Sequence, residues 1–306
     1  MATTRQSIIR GPGTVTFGGV AIHDSAGIDA SIESSTADIS ASVSGRIDTI
    51  KTDQVGRITL TPAGGITSEL LSALFPAHIT TPAPGTSLFG AADSPLVISS
   101  KAGVKVTFTA AALTKCPELI LSPVRTAFGQ AEFTALVGNG KLPSDANAFY
   151  SVASAAYSGG SPSTAKMSGF HYTGTFGSLS IADTLDGWKV TPELQLEPVT
   201  TDSQGTVDYT LTGVTVRASC TPLGLTEAQI LAALPVGKGR GASLATADDL
   251  VISSAGGLTV TLKCASLVTG PVRWGASTLR AGEIGFVANS AASGALFSVA
   301  LGASEA

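Results

Sequence analysis

Residues Pro95–Leu113, "PLVISSKAGVKVTFTAAAL", return near the far end of the 306-residue chain as "DLVISSAGGLTVTLKCASL", Asp249–Leu267. Whatever one copy folds into, the other must be able to adopt, so the repeat restricts the architecture before any single residue is weighed. A shift of 160 positions aligns Ala30–Leu74 with Val190–Leu234 without a gap, and 11 of the 45 pairs are identical. They are Glu33/Glu193, Gly45/Gly205, Asp48/Asp208, Thr52/Thr212, Arg57/Arg217, Thr61/Thr221, Pro62/Pro222, Gly64/Gly224, Leu71/Leu231, Ala73/Ala233 and Leu74/Leu234. The shift then falls to 154, and Leu96–Pro117 matches Leu250–Pro271 with 11 identities in 22 pairs. Abundant Ala, Ser and Thr produce scattered matches, but not ungapped runs that keep Arg, Asp, Pro and Gly in step. Upstream, "GTVTFGG" from Gly13 faces "GTFGSLS" from Gly174; "PVR" recurs at Pro123–Arg125 and Pro271–Arg273, which leaves the register there ambiguous. The repeat implies a first domain over 1–137 with an N-terminal arm and a second over 174–288. A Gly/Ser/Ala-rich connector over 138–173 would join them, with a C-terminal tail over 289–306.

Each unit reads as β-structure. In "VTPELQLEP", Val190, Leu194 and Leu196 alternate with Thr191, Glu193, Gln195 and Glu197, the period-two pattern of a half-buried strand. The partner run alternates through Val207, Tyr209 and Leu211, slips phase at Gly213, and resumes at Val214, Val216, Ala218 and Cys220. Gly45 and Gly205 stand where the chain must reverse, because hairpin turns need positive φ. The spacing predicts one long antiparallel hairpin per unit. A short helix follows. "TEAQILAALP" carries Thr226 and Gln229 at capping-box spacing and stops at Pro235; "TSELLSALFP" keeps the apolar face and stops at Pro76. After a Gly/Pro-rich loop come "LVISS", a Gly turn and further strands. Five to seven strands and one flanking helix per unit predict a mainly β chain of two tandem, homologous sandwich or barrel domains.

Composition narrows the function. Charged residues make up only 13 %, against roughly 25 % in an average soluble domain. A surface so neutral and small suits a protein that hides its faces in an assembly. The net charge of −4 argues against wrapping nucleic acid, which needs a basic stripe to displace phosphate counterions. Cys116, Cys220 and Cys264 show no CxxC spacing and read as reduced, buried thiols. No apolar stretch near the N-terminus resembles a signal h-region, and no run reaches the roughly 18 residues of a membrane span. Catalytic readings are weak. His23, His78 and His171 lie far apart, without the spacing of a metal site. "VGKGRG" at Val236–Gly241 lacks the G-K-[ST] ending of a phosphate loop, and no G-x-S-x-G elbow occurs. We therefore expect no enzyme, no cofactor and no metal. Trp188 and Trp274 fall at different places in the two units and point to unequal packing surfaces.

"GPGTVTFGGVAIHDSAGIDASIE", a hairpin region ending in "GRITLTPAG", one helix and a closing β-meander resemble the major tail (tail tube) proteins of long-tailed bacteriophages of siphophage type. The likeness spans both units and rests on element order and composition. It implies a virion protein, assembled in the bacterial cytoplasm, whose domains form stacked rings with hairpins lining a channel for DNA. Two units per chain would fill a six-seat ring with three chains, a trimer of pseudo-sixfold symmetry. The implied partners are further copies of the chain, a tape measure protein in the lumen, and tail terminator and distal tail proteins at the ends. Viral DNA would pass transiently, and no membrane would be involved.

A channel that passes DNA favours acidic and neutral polar walls. The polar phase of the hairpins offers Glu33, Ser35 and Asp48 in the first unit, and Glu193, Gln195, Glu197 and Asp208 in the second. Period-two patterning leaves open whether that phase faces a lumen or the outer solvent. Another virion β-protein, such as a tail terminator, baseplate ring or capsid decoration protein, would use the same composition. A secreted adhesion or carbohydrate-binding module fits less well, since aromatic residues are only 6 % and unclustered.

Overall fold

A computed structural model describes residues 13–302, except 91, 139–144, 146–147, 158–159, 161–170, 227, 230–238, 245–246, 271 and 275–278. The chain is mainly β, arranged in several antiparallel sheets. The first half contains β1 (Gly13–Phe17), β2 (Val20–Asp24), β3 (Asp29–Ala41), β4 (Gly45–Leu60) and β5 (Pro62–Ala63). Two short helices follow, α1 (Ser68–Leu74) and α2 (Ala77–Thr80). Then come β6 (Ser94–Ser100), β7 (Val104–Lys115), β8 (Leu119–Leu121), β9 (Thr126–Phe128), β10 (Ala131–Leu136) and β11 (Tyr150–Ser154). The second half contains β12 (Tyr172–Phe176), β13 (Leu179–Ile181), β14 (Asp183–Thr201), β15 (Gly205–Leu223), β16 (Leu250–Ser254) and β17 (Leu258–Leu262). It closes with β18 (Ser266–Thr269), β19 (Val272–Trp274), β20 (Leu279–Ala281), β21 (Ile284–Val287) and β22 (Phe297–Leu301).

The strand pairings of the first half recur in the second. β1 pairs with β2 and β6, β6 with β7, β7 with β10 and β11, β10 with β4, and β4 with β3. Correspondingly, β12 pairs with β13 and β16, β16 with β17, β17 with β22, β18 with β21, β21 with β15, and β15 with β14. Even irregularities coincide. The β3–β4 ladder shifts register after Ser35 and again after Ile39; the β14–β15 ladder shifts after Gln195 and Val199, the positions 160 residues on. The residues left over at the first bulge are Thr52 and Thr212, one of the identical pairs. The phase slip read at Gly213 is this bulge, where one extra residue moves the apolar set back onto the buried face. Gly45 and Gly205 turn the two hairpins at φ 70° and 74°, as the turn requires.

Three details differ from the sequence expectations. Pairing sets Phe17 opposite Leu96 and Phe176 opposite Leu250, so Phe17 corresponds to Phe176 and the alignment of Gly13 with Gly174 is out by two residues. Strand β11 lies within the expected connector and β22 within the expected tail; "YSVA" and "FSVA" hold equivalent places on β7 and β17. Their short, small-residue runs carry too weak an alternation to stand out as strands. Lastly, α1 ends before Pro76, but Pro76 then starts the one-turn helix α2.

The continuous β7 corresponds to two strands, β17 and β18, and the reason is local. Cys264, at φ 42°, interrupts the ladder, and Asp249 holds the break: its carboxylate accepts from the Cys264 N–H at 3.0 Å and pairs with Lys263 at 2.7 Å. The first half has Pro95 in place of Asp249 and cannot make that clamp. Consequently one sheet of nine strands in the first half becomes two sheets in the second.

Helix α1 forms where expected. The Thr67 hydroxyl accepts from the Leu70 N–H at 3.2 Å, and Leu70, Leu71 and Leu74 are buried. At its counterpart, the Thr226 N–H donates to Gln229 Oε1 at 2.9 Å and the Gln229 N–H to Thr226 Oγ1 at 3.3 Å, a reciprocal capping box. Ile230–Pro235 lie outside the described residues. The apolar core runs from Val15, Ile58 and Phe133 through to Trp188, Val260 and Phe286 as one cluster spanning both halves.

Candidate assembly interface

The first half holds the second half at three places. Strand β8 extends the sheet of β14 and β15, setting Leu121 opposite Trp188, Ile120 opposite Lys189 and Leu119 opposite Val190. Glu118, just before β8, accepts from the Thr191 hydroxyl at 2.9 Å and pairs with the Lys189 ammonium at 2.8 Å. The approach is close enough that a Cβ on Gly187, at φ +85°, would stand 2.1 Å from the Leu121 carbonyl oxygen. Only glycine fits there.

The loop after α2 makes the second contact, running along β15. The Gly85 N–H donates to the Leu211 carbonyl at 2.7 Å, the Leu211 N–H to Thr86 at 2.9 Å, and the Leu88 N–H to Tyr209 at 2.9 Å. Leu88 is fully buried with Ala112 and Leu211, flanked by Leu194, Leu196 and Tyr209. At the third, α1 and α2 cover β22. Phe75 meets Phe297 edge-on at 5.8 Å, and the Leu296 N–H donates to the Thr80 carbonyl at 2.8 Å.

The residues expected to line a channel divide between these surfaces and solvent. Glu193, Gln195 and Glu197 are exposed, on the opposite phase of β14 from Leu194 and Leu196, which pack against the first half. Glu33, Ser35 and Asp48 are exposed on the first hairpin, where every residue of β3 before Ala41 is exposed. Glu33 does not stand alone: Arg57 bridges it at 3.0 Å to Glu132 at 2.8 Å. The Glu33 and Glu132 hydrogen bonds hold the guanidinium above its ordinary pKa. Asp208 is half-buried, and its carboxylate accepts the Phe89 N–H at 2.9 Å, so it is engaged in the contact between halves. Asp53 likewise accepts from the Thr206 N–H at 2.9 Å and hydroxyl at 2.7 Å.

Sequence reading missed Glu118, Gly187, Leu88 and Asp53 as joining residues. Gly187 was findable, since Gly27 lies 160 positions before it; the others leave no pattern because their partners come from the other half.

The first hairpin exposes apolar side chains that a free surface seldom collects. Ile32, Ile39, Ile47 and Ile50 are exposed, and Val43 near the tip is 96 % exposed. Among the described residues no group of three or more His, Cys, Asp or Glu is placed to hold a metal ion. Burial pushes the Cys116 and Cys220 thiols well up, keeping them protonated. Among the described residues, no helix is long and apolar enough to cross a membrane. A scan against protein-family models and a search among curated proteins each found no match to this chain.

Proposed function

We propose that the chain is a structural virion protein of tail-tube type, in which two homologous sandwich-like β-domains occupy neighbouring seats of one ring. Three chains complete a ring of six seats, and rings stack into a hollow tube through which viral DNA leaves the particle. The observation that carries this reading is the recurrence of strand pairings with the same bulges in both halves, with one half docked directly on the other. Two equivalent bodies joined by a one-way contact are the unit from which closed rings are built. The low charge and the exposed apolar hairpin fit a subunit whose surface is covered on assembly. The exposed carboxylates of Glu193 and Glu197, beside Gln195, supply a wall that repels DNA weakly.

Electron microscopy of the purified protein tests this reading. Long hollow filaments with six-lobed end-on views are expected. Particles that stay small, as a decoration protein would, contradict it.

A further inference from the structure

We propose that a second copy of this chain adds its β19 to the free edge of β3, antiparallel, with Trp274 opposite Ile28, Arg273 opposite Asp29 and Val272 opposite Ala30. The proposal rests on the two-domain ring reading and names the joint that would link one chain to the next.

The geometry comes from the joint already present inside the chain. Hairpin β8–β9 pairs Leu119 with Phe128 and Leu121 with Thr126; hairpin β19–β20 pairs Val272 with Ala281 and Trp274 with Leu279, the same ladder 153 residues on. The first hairpin is spent on β14. The second forms a separate two-stranded sheet, and β3 ends its own sheet, so among the described strands both edges lack a partner. Transferring the β8–β14 register to the equivalent positions gives the stated pairs. Unsatisfied strand edges are where a further strand adds, and the register sets Asp29 against Arg273, residues of opposite charge.

Two independent features of the first half point the same way. Gly27 corresponds to Gly187 and shares its positive φ, +110°; yet a Cβ on Gly27 meets nothing within 4 Å, where one on Gly187 strikes the carbonyl of the docked strand. The space that a neighbour's backbone would take beside Gly27 is open. On the opposite flank, Phe297 is 1 % exposed beneath α1, but its counterpart Tyr150 is 40 % exposed and Val152 beside it 62 %. Faces that the first half covers on the second stand open on the first. A joint of this kind is head-to-tail, so each chain presents one donor hairpin and one acceptor edge.

The test is the double variant Asp29→Cys with Arg273→Cys, oxidised under assembly conditions and run on a non-reducing gel. Directly opposed strand residues bring their Cβ atoms within disulfide reach. We expect a reducible ladder at two and three chain masses, at least tenfold stronger than from wild type or either single variant. In the β8–β9 hairpin Ser122 bonds Arg125 and Gly129 bonds Glu118, so the alternating ladder turns the Leu119 N–H outward to β14. Val272→Pro, which removes the equivalent outward N–H donor from β19, should abolish assembly while circular dichroism of the monomer stays unchanged. Hollow tubes that form without the ladder, or that form from Val272→Pro, overturn this joint and leave the tube reading standing. A ladder from particles without a channel upholds the joint and removes the tube reading.

Discussion

Gly174 and Trp188 show how one residue pair distinguishes otherwise equivalent halves. A Cβ on Gly174 would lie 2.2 Å from the Trp188 indole, so the ring fits only because its neighbour is glycine. Trp188 is 1 % exposed and stacks at a tilt on Phe286, 6.2 Å between centroids. The first half places Val15 and Ile28 at these positions, a larger residue in place of the glycine and a smaller one in place of the indole. Gly174→Val should therefore destabilise the protein by about 3 kcal/mol, the cost of overpacking a closed core. Adding Trp188→Ile should recover part of that loss. A double-mutant cycle of thermal unfolding checks the coupling, and additive effects would refute it.

Asp249 gives a pH prediction at the same scale. Burial raises its pKa, but the Lys263 and Cys264 N–H bonds outweigh this and hold it below the ordinary carboxylate value. A carboxylate depressed on folding stabilises above its unfolded pKa, and that stability is lost as pH falls through the folded value. Asp249→Asn should cost about 1–2 kcal/mol at neutral pH. The gap from wild type should stay constant above about pH 5 and close below about pH 4. Urea titrations at stepped pH measure it. At this scale, the sequence showed the duplication and the unmatched Trp188, but not the glycine that admits its ring. That Asp249 replaces Pro95 is visible in the alignment, but its effect, a broken strand at Cys264, depends on a left-handed residue that no periodicity announces.

At the scale of elements, the long hairpins, their glycine turns and the helix cap were readable because each depends on neighbours close in sequence. Which strands share a sheet was not, since pairing such as β8 on β14 joins residues about 70 apart and leaves no local trace. The same holds for β11 and β22, which the alternation of a five-residue run cannot separate from a linker. The β3–β4 hairpin carries its own prediction. Val43 and Ile47 touch little in the free chain, so Val43→Asp with Ile47→Asp should change monomer stability by less than about 0.5 kcal/mol. It should raise the protein concentration needed for assembly at least tenfold, read by light scattering. Unchanged assembly would mean that the exposed apolar stripe belongs to no contact. The two joints also differ chemically. Leu88 on Leu211 makes the internal one apolar, whereas Lys51 stands at the position equivalent to Leu211 in the first half. The internal joint forms with the fold; the proposed external one would depend on a backbone ladder added after folding.

At the scale of the whole molecule, one chain is proposed to occupy two equivalent seats. The sequence disclosed the repeat through 11 identities in an ungapped run, and matched bulges at residues 160 apart extend it to geometry. Glu193, Gln195 and Glu197 form the exposed polar phase of the second hairpin, opposite Leu194 and Leu196, which pack against the first half. Reversing Glu193 and Glu197 to Lys should leave tubes intact but slow DNA release from particles, because a charge change of about +4 per chain (two Glu→Lys reversals) would hold phosphate. Normal release would place that face outside the channel. The most direct test of the account weighs the assembly while counting its seats. Mass per unit length from scanning transmission microscopy, combined with the ring repeat and end-on projections, should give three chains for every six lobes. Six chains per six-lobed ring, or three lobes for three chains, would contradict it.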